Sequence, residues 1–383
     1  MTLYVHVPFC VVKCGYCDFN SYVVDDEVAH DRFLDALAAE LLARRAAFRH
    51  GTRPHSVFFG GGTPSLLSEG RLERLFAIVG ESVDLHACEE VTIEANPESF
   101  TEAKARIARA GGVNRVSIGV QTFHSEYLQA LDRAHDAAAA ERAFAAARAA
   151  GFDNVSLDLM FAIPGETLPQ WQSDLERALA LRPDHLSCYN LTFEPGTRFT
   201  RDREQGRITP NDERSDRVMF EWTRERLLAA GYQAYEVSNF AGSGGPCRHN
   251  DHYWLQGDYV GVGPGASSHR SGFRSTNLKP LDAWASAALH SPTCTGSAET
   301  LHPMQRVAEA LWLGVRRTDG VDFAAVSARI GAFAAQARFE PVVADHERRG
   351  LIAREGSRIR LVGEGLLLAD QVGGDYLACA IDD

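Results

Sequence analysis

An α/β fold is expected for this chain: a partial six-unit (β/α) barrel of the TIM-like kind, carrying a C-terminal winged-helix-like α+β module. Three observations predict it. Short apolar runs of strand length alternate with amphipathic helical stretches, which is the pattern of parallel β/α units. Glycines and polar residues recur where successive strands end, as on the active rim of a β/α barrel. From about Thr300 the order changes to helices followed by two short strands.

The elements follow in sequence. Leu3 to Val7 is a first strand, leading through Pro8 and Phe9 into a cysteine loop. Asp25 to His50 reads as a long helix, with Phe33, Leu34, Leu37, Leu41 and Leu42 on one face. Ser56 to Phe59 is a second strand and runs into Gly60-Gly61-Gly62-Thr63-Pro64, with a helix from Arg71 to Gly80. The unit repeats with a strand over Val91 to Ala95 and a helix over Glu102 to Ala110. It repeats again with a strand over Arg115 to Val120, then helical sequence from Ser125 to Ala150. Val155 to Phe161 and His185 to Phe193 complete six strands, with a helix over Gln170 to Leu181 between them.

Beyond this, Asp212 to Ala230 is a charged helix and Ala234 to Phe240 a strand. A Gly-rich break, Gly242 to Pro246, precedes Cys247-Arg248-His249-Asn250-Asp251-His252-Tyr253-Trp254. Further glycines follow from Gly261 to Gly265. Glycine density of this kind suits close approach of backbone to a ligand. Met304 to Val315 is helical, and Gly350 to Ile352 and Arg358 to Leu361 form a hairpin. The expected division is 1–240, 241–300 and 301–383.

Composition narrows the function classes. The chain has 383 residues, 45% apolar and 23% charged, as in ordinary globular proteins. A net charge of −12 without a long basic run argues against nucleic acid or an anionic membrane as partner. In the C-terminal module ten Arg face twelve Asp and Glu from Thr300 onward, which favours packing over DNA binding. No apolar stretch reaches transmembrane length. A strand-like run starts almost at residue 2 with no basic leader, and the remaining cysteines are scattered. A cytoplasmic location is therefore expected.

The chemistry concentrates in two places. Cys10, Cys14 and Cys17 are spaced C-x3-C-x2-C, and three soft thiolates this close can converge on one metal centre. Zinc would require a nearby fourth Cys or His, and a redox pair leaves Cys10 without a role. An iron–sulfur cluster uses all three. Glu94 and Gln121 end later strands and Asp158 sits within the fifth, and a barrel would gather most of these polar residues on one rim. The second place is His249-Asn250-x-x-Tyr253-Trp254. On residue chemistry alone, this is a capped turn with aromatic residues in a core.

On these motifs the chain resembles, essentially end to end, radical S-adenosyl-L-methionine (SAM) proteins of the oxygen-independent coproporphyrinogen III oxidase group. Within it the chain looks most similar to the heme-chaperone branch. The resemblance implies a 4Fe-4S cluster on Cys10, Cys14 and Cys17, with one iron left open for SAM. It implies SAM contacts from Tyr4, Gly61, Gly62 and Thr63, from Glu94 towards the ribose, and from Gln121, Arg133 and Asp158. Oxidases of the group carry a further Cys where this chain has Phe19, and an extension before the strand that here begins at once. The segment His249, Asn250, Tyr253 and Trp254 matches an H-N-x-x-Y-W motif linked to heme in the chaperone branch. His249, His252 and Cys247 are then competing candidates for the iron ligand. The expectation is a heme chaperone that passes heme to an acceptor protein whose identity the sequence leaves open. The rival is an enzyme that cleaves SAM and abstracts hydrogen from a porphyrinogen propionate.

Overall fold

The computed structural model describes residues 1–24, 26–45, 54–291 and 293–380. Six parallel strands form the centre: β1 (Thr2–Val7), β2 (Ser56–Gly61), β3 (Glu90–Ala95), β4 (Arg115–Gln121), β5 (Val155–Phe161) and β6 (His185–Asn190). Each pairs with the next in sequence order. Their side chains are buried on both faces, because helices cover the outside and the barrel interior covers the inside. Val5, Val57, Ile93, Ile118 and Leu157 belong to one continuous core. β6 does not return to β1, so the barrel stays open. The α/β, partial-barrel expectation is met.

The intervening helices include α1 (Glu27–Ala43), α2 (Glu69–Gly80), α3 (Glu102–Ala110), α4 (Ser125–Ala130), α5 (Ala137–Ala149) and α6 (Leu168–Ala180). The helix expected over Asp25 to His50 is described only from Glu27 to Ala43; residues 25 and 46–50 lie outside the described residues. Phe33, Leu34, Leu37 and Leu41 are buried, but Leu42 is 67% exposed. One residue is a rotation of about 100° on a helix, which carries Leu42 off the buried stripe. α7 (Arg198–Glu204) and α8 (Glu213–Ala229) follow β6.

The strand expected over Ala234 to Phe240 is instead two short antiparallel strands, β7 (Gln233–Ala234) and β8 (Asn239–Ala241). The turn between them is held by the buried Glu236 carboxylate, which accepts from Ser238 N at 2.7 Å and Asn239 Nδ2 at 2.7 Å. β8 then pairs antiparallel with β6. On the other edge β9 (Tyr259–Val262) adds parallel to β1, followed by antiparallel β10 (Ser267–Arg270), β11 (Phe273–Asn277) and β12 (Thr295–Thr300). The segment 241–300 is thus continuous with the barrel sheet, and Val260, Val262 and Trp284 share its core. It also contains α9 (Arg248–Trp254) and α10 (Leu281–His290).

The C-terminal module consists of α11 (Pro303–Val315), α12 (Phe323–Ile330), α13 (Ala335–Arg348) and α14 (Ala369–Cys379). A three-stranded sheet of β13 (Val321–Asp322), β14 (Ile352–Glu355) and β15 (Arg358–Leu361) accompanies them. It has its own core around Leu311, Phe339, Ile359 and Tyr376. Helices followed by a hairpin agree with the expected module.

Candidate functional site

The cysteine loop leaves β1 at Val7 and is closed at its base by backbone. Tyr22 N donates to Pro8 O at 2.7 Å, and Phe9–Cys10 pairs in parallel with Tyr22–Val23. Thr63 N donates to Phe9 O at 2.6 Å and Gly62 N to Val7 O at 2.8 Å, which ties the glycine turn after β2 to the same loop. Only glycine fits at 62: a Cβ there would stand 2.6 Å from Phe9 O. On its far side the loop is anchored by Gly15 N to Asp132 Oδ2 at 3.1 Å, and Asp132 is ion-paired with Arg198. Tyr16 meets Phe199 edge to face.

Cys10, Cys14 and Cys17 are free, half-buried thiols. They line one cavity of about 290 Å³ together with Gly61, Gly62, Thr63, Glu94, Gln121, Arg133 and Asp158. Thr63 Oγ1 donates to Cys10 Sγ at 3.7 Å, and Arg133 Nη1 lies 3.7 Å from Cys14 Sγ. Burial pushes the Cys10 thiol up and the Cys17 thiol up to about 11, and the thiolate is the form that ligates metal. Among the described residues no three His, Cys, Asp or Glu side chains converge on a single ion. A cluster takes one thiolate per iron and does not require that convergence. The donor set fits an iron–sulfur cluster.

The strand ends supply the rest of the cavity. Glu94 Oε2 accepts from Gly61 N at 3.0 Å, yet burial pushes its carboxyl up to about 7. Asp158 accepts from Ser117 Oγ at 2.9 Å, and burial pushes its carboxyl up as well. Gln121 stands in a strand irregularity with φ of 66°, and Asp132 has φ of 55°. Non-glycine residues in this region are uncommon and tend to mark functional sites. Arg133 is held by Asn96 Oδ1 and Gly119 O, both at 2.8 Å, and Asn96 Nδ2 donates to Thr63 Oγ1 at 2.9 Å. Asn96 links two site residues, Thr63 and Arg133, and escaped the sequence reading. Its only local signal is an Asn-Pro pair after a strand.

Burial, and then the nearby Glu94 carboxylate, push the Tyr4 hydroxyl up. That hydroxyl pairs with His6 Nδ1 at 3.0 Å, and Tyr4 lines a second, larger cavity of about 810 Å³. Lys13, Phe19 and Ser21 line both cavities, so the cysteine loop is the wall between them.

The second cluster forms α9. Glu90, at the start of β3, caps it: its carboxylate accepts from Arg248 N at 2.7 Å and His249 N at 3.1 Å. A carboxylate at a helix N-terminus satisfies free N–H groups and opposes the helix dipole. Glu90 also was not legible in the sequence, since the contact spans more than 150 positions. His249 is 1% exposed, with Nδ1 on Ser56 Oγ at 3.1 Å and Nε2 on the Tyr253 hydroxyl at 2.8 Å. Burial, with His252, His55 and Arg115 nearby, lowers it to about 3, so the ring is neutral. Tyr253 lines the larger cavity, whereas His249, Asn250 and Trp254 do not. Trp254 carries the Arg316 guanidinium over its ring at 5.1 Å. Cys247 is buried against Glu90 at 3.4 Å, and His252 is held between His55 and Asp258 O.

Comparison with known proteins identifies the family. A family model described as the radical SAM superfamily matches residues 4–178, and one described as the HemN C-terminal domain matches residues 301–368. The chain is 34% identical to the heme chaperone HemW of Bacillus subtilis, over 98% of both chains. It is 39% identical to HemW of Mycobacterium tuberculosis, over 97% of this chain and 93% of that one. It is 41% identical to HemW of Escherichia coli, over 70% and 69% respectively. Among solved structures, the coproporphyrinogen III oxidase HemN of Escherichia coli superposes with a TM-score of 0.84, at 24% identity. That match covers 98% of this chain and 89% of that one. A radical SAM core, a HemN-type C-terminal module and close relatives spanning nearly the whole length place the chain within one group: it belongs to the HemW family of the radical SAM superfamily.

Proposed function

We propose that this protein is a heme chaperone, binding heme and transferring it to an acceptor protein. The observation that carries the reading is the paired arrangement of cavities, one holding three cysteines and the other, larger and aromatic, sharing a wall with it. The HemW relatives support the heme assignment by name. Cys10, Cys14 and Cys17 would hold a 4Fe-4S cluster, and SAM would exchange at its open iron. When bound, that pair supplies an electron-accepting centre next to the wall of the larger cavity.

The chain's own residues do the holding. Gly61 and Gly62 let backbone approach the ligand, Glu94 offers a carboxylate oxygen to ribose hydroxyls, and Arg133 keeps positive charge beside Cys14. Gln121 and Asp158 complete the SAM side. Tyr4, whose hydroxyl is pushed up by burial and by the nearby Glu94 carboxylate, would stand between the SAM side and the heme side. His249, Asn250, Tyr253 and Trp254 form the heme-linked helix, with Tyr253 as its contact surface. A cytoplasmic setting suits free thiols and an oxygen-sensitive cluster. No helix among the described residues is long and apolar enough to cross a membrane.

Heme titration into the anaerobically reconstituted protein tests the reading. A saturable Soret change, and heme transfer to an apo-acceptor, are expected. Absence of heme binding overturns it. Robust formation of protoporphyrinogen from coproporphyrinogen III, SAM and a reductant would replace the chaperone with an oxidase. Phe19, 57% exposed where the oxidases have a cysteine, speaks against that outcome.

A further inference from the structure

Resting on the heme-chaperone reading, we infer that heme occupies the larger cavity with its two propionate carboxylates held by Lys13 and Lys279. The cavity has about 810 Å³, within the range of small-molecule pockets, about 300–1,000 Å³. It opens between the cysteine loop and α11, so both the barrel and the C-terminal module wall it. Tyr4, Tyr253, Tyr259, Trp312, Leu313 and Phe19 supply its apolar surface. Tyr253 and Tyr259 meet edge to face at 4.7 Å. Such a chamber suits a flat, largely apolar macrocycle.

The charge pattern names the other end of the ligand. The chain contains only Lys13, Lys104 and Lys279, and two of the three line this cavity. Neither has a carboxylate partner among the described residues. Lys13 Nζ donates only to carbonyls, Phe19 O at 3.0 Å and Ser21 O at 3.4 Å. Lys279 is exposed, and its backbone carbonyl is pinned to the same loop by Asn20 Nδ2 at 2.9 Å and the Tyr22 hydroxyl at 2.8 Å. The third basic group, Arg274, is already ion-paired with Glu309 and Glu299. Asp18 is the other carboxylate on the lining. In a protein of net charge −12, two ammonium groups on one rim, neither with a carboxylate partner among the described residues, are ready to meet a dianionic edge. Charge-assisted pairs of this kind are among the stronger hydrogen bonds.

His249 then acts as a positioning residue. Both of its ring nitrogens are committed, to Ser56 and to Tyr253, and its ring lies against Tyr253 and Tyr4, which line the chamber.

The test is a heme titration of the cluster-loaded wild type, Lys279→Gln, the Lys13→Gln/Lys279→Gln double variant and Arg142→Gln, a surface charge control on α5. Each is titrated with heme and with heme dimethyl ester, which lacks the propionate charges. Heme affinity should fall about tenfold in Lys279→Gln and further in the double variant, while the ester binds all four proteins alike. Lys279 lies outside the cysteine motif, so cluster absorbance and circular dichroism should be unchanged in its single variant. Equal heme affinity in wild type and both lysine variants overturns the inference and leaves the chaperone reading standing. An equal loss in Arg142→Gln overturns it as a net-charge effect. Failure of the wild type to bind either form overturns the chaperone reading itself.

Discussion

Glu94 is a carboxylate whose folded value, about 7, sits above its ordinary 4.5 because burial penalises its charge. The sign follows: the fold is most stable with Glu94 protonated, and that stability is lost as pH rises from 4.5 through about 7. A ligand that donates hydrogen bonds to the carboxylate binds the ionised form. SAM affinity should therefore be about tenfold weaker at pH 6 than at pH 8, and Glu94→Gln should flatten the profile; equilibrium dialysis with labelled SAM reads it. His249 shifts the opposite way, to about 3, so its neutral burial is fully favourable above pH 6.5. That stability is lost as pH falls towards 3, because the unfolded chain takes up a proton that the folded one refuses. In urea unfolding between pH 6.5 and 4, His249→Gln should show a shallower loss of stability with pH, by up to about one proton.

At the scale of elements, two buried carboxylates decide where added pieces sit. Glu90 fixes α9 on β3 by accepting from its first N–H groups. Glu40 on α1 does the same for the strands beyond β1. It accepts from Gly263 N at 2.9 Å, Asn277 Nδ2 at 2.7 Å and Trp284 Nε1 at 3.0 Å, and pairs with Arg44 at 2.9 Å. Glu40→Ala strands these donors in the core. It should cost about 3–5 kcal/mol, read as a lower denaturant midpoint at unchanged slope. Gly62→Ala tests the glycine turn after β2. Its Cβ must displace Phe9 backbone, so cluster retention after reconstitution should fall sharply while the far-ultraviolet spectrum stays native.

Across the whole molecule, the barrel and the C-terminal module have separate cores, and Phe220 on α8 packs against both. Polar contacts also join them: Arg317 pairs with Asp251 at 2.7 Å, Gln256 Nε2 donates to Arg306 O at 2.8 Å, and Thr318 N donates to Tyr235 O at 2.9 Å. The larger cavity lies along this seam. A ligand there should stabilise both bodies, by about 2.7 kcal/mol at a free concentration one hundred times its Kd. Hydrogen exchange with and without heme should slow at Tyr4–Tyr22 and at α11 together. Protection confined to the barrel would contradict a shared chamber.

Much of this was legible in the amino-acid order. Runs such as Val57-Phe58-Phe59 and Val155 to Phe161 are strands because both faces are buried, and the C-x3-C-x2-C spacing acts within a single loop. The glycines at 60–62 likewise serve a local turn. Local pattern determines such features, since neighbours in sequence are neighbours in space. Leu42 and the break at Tyr235–Ser238 were misread because helix rotation and a side-chain-held turn depend on what lies opposite. Asn96, Glu90 and Glu40 act over tens to hundreds of positions, and no periodicity announces them. The sequence by itself determined the barrel, the cysteine loop and the rim of polar strand ends. Only the tertiary structure decided that Tyr4 bonds to His6 and lines the aromatic cavity, that His249 is enclosed behind Tyr253, and that Lys13 and Lys279 share a rim. These depend on burial and on contacts closed by distant segments, which free energy selects in the folded state and the order of residues does not display.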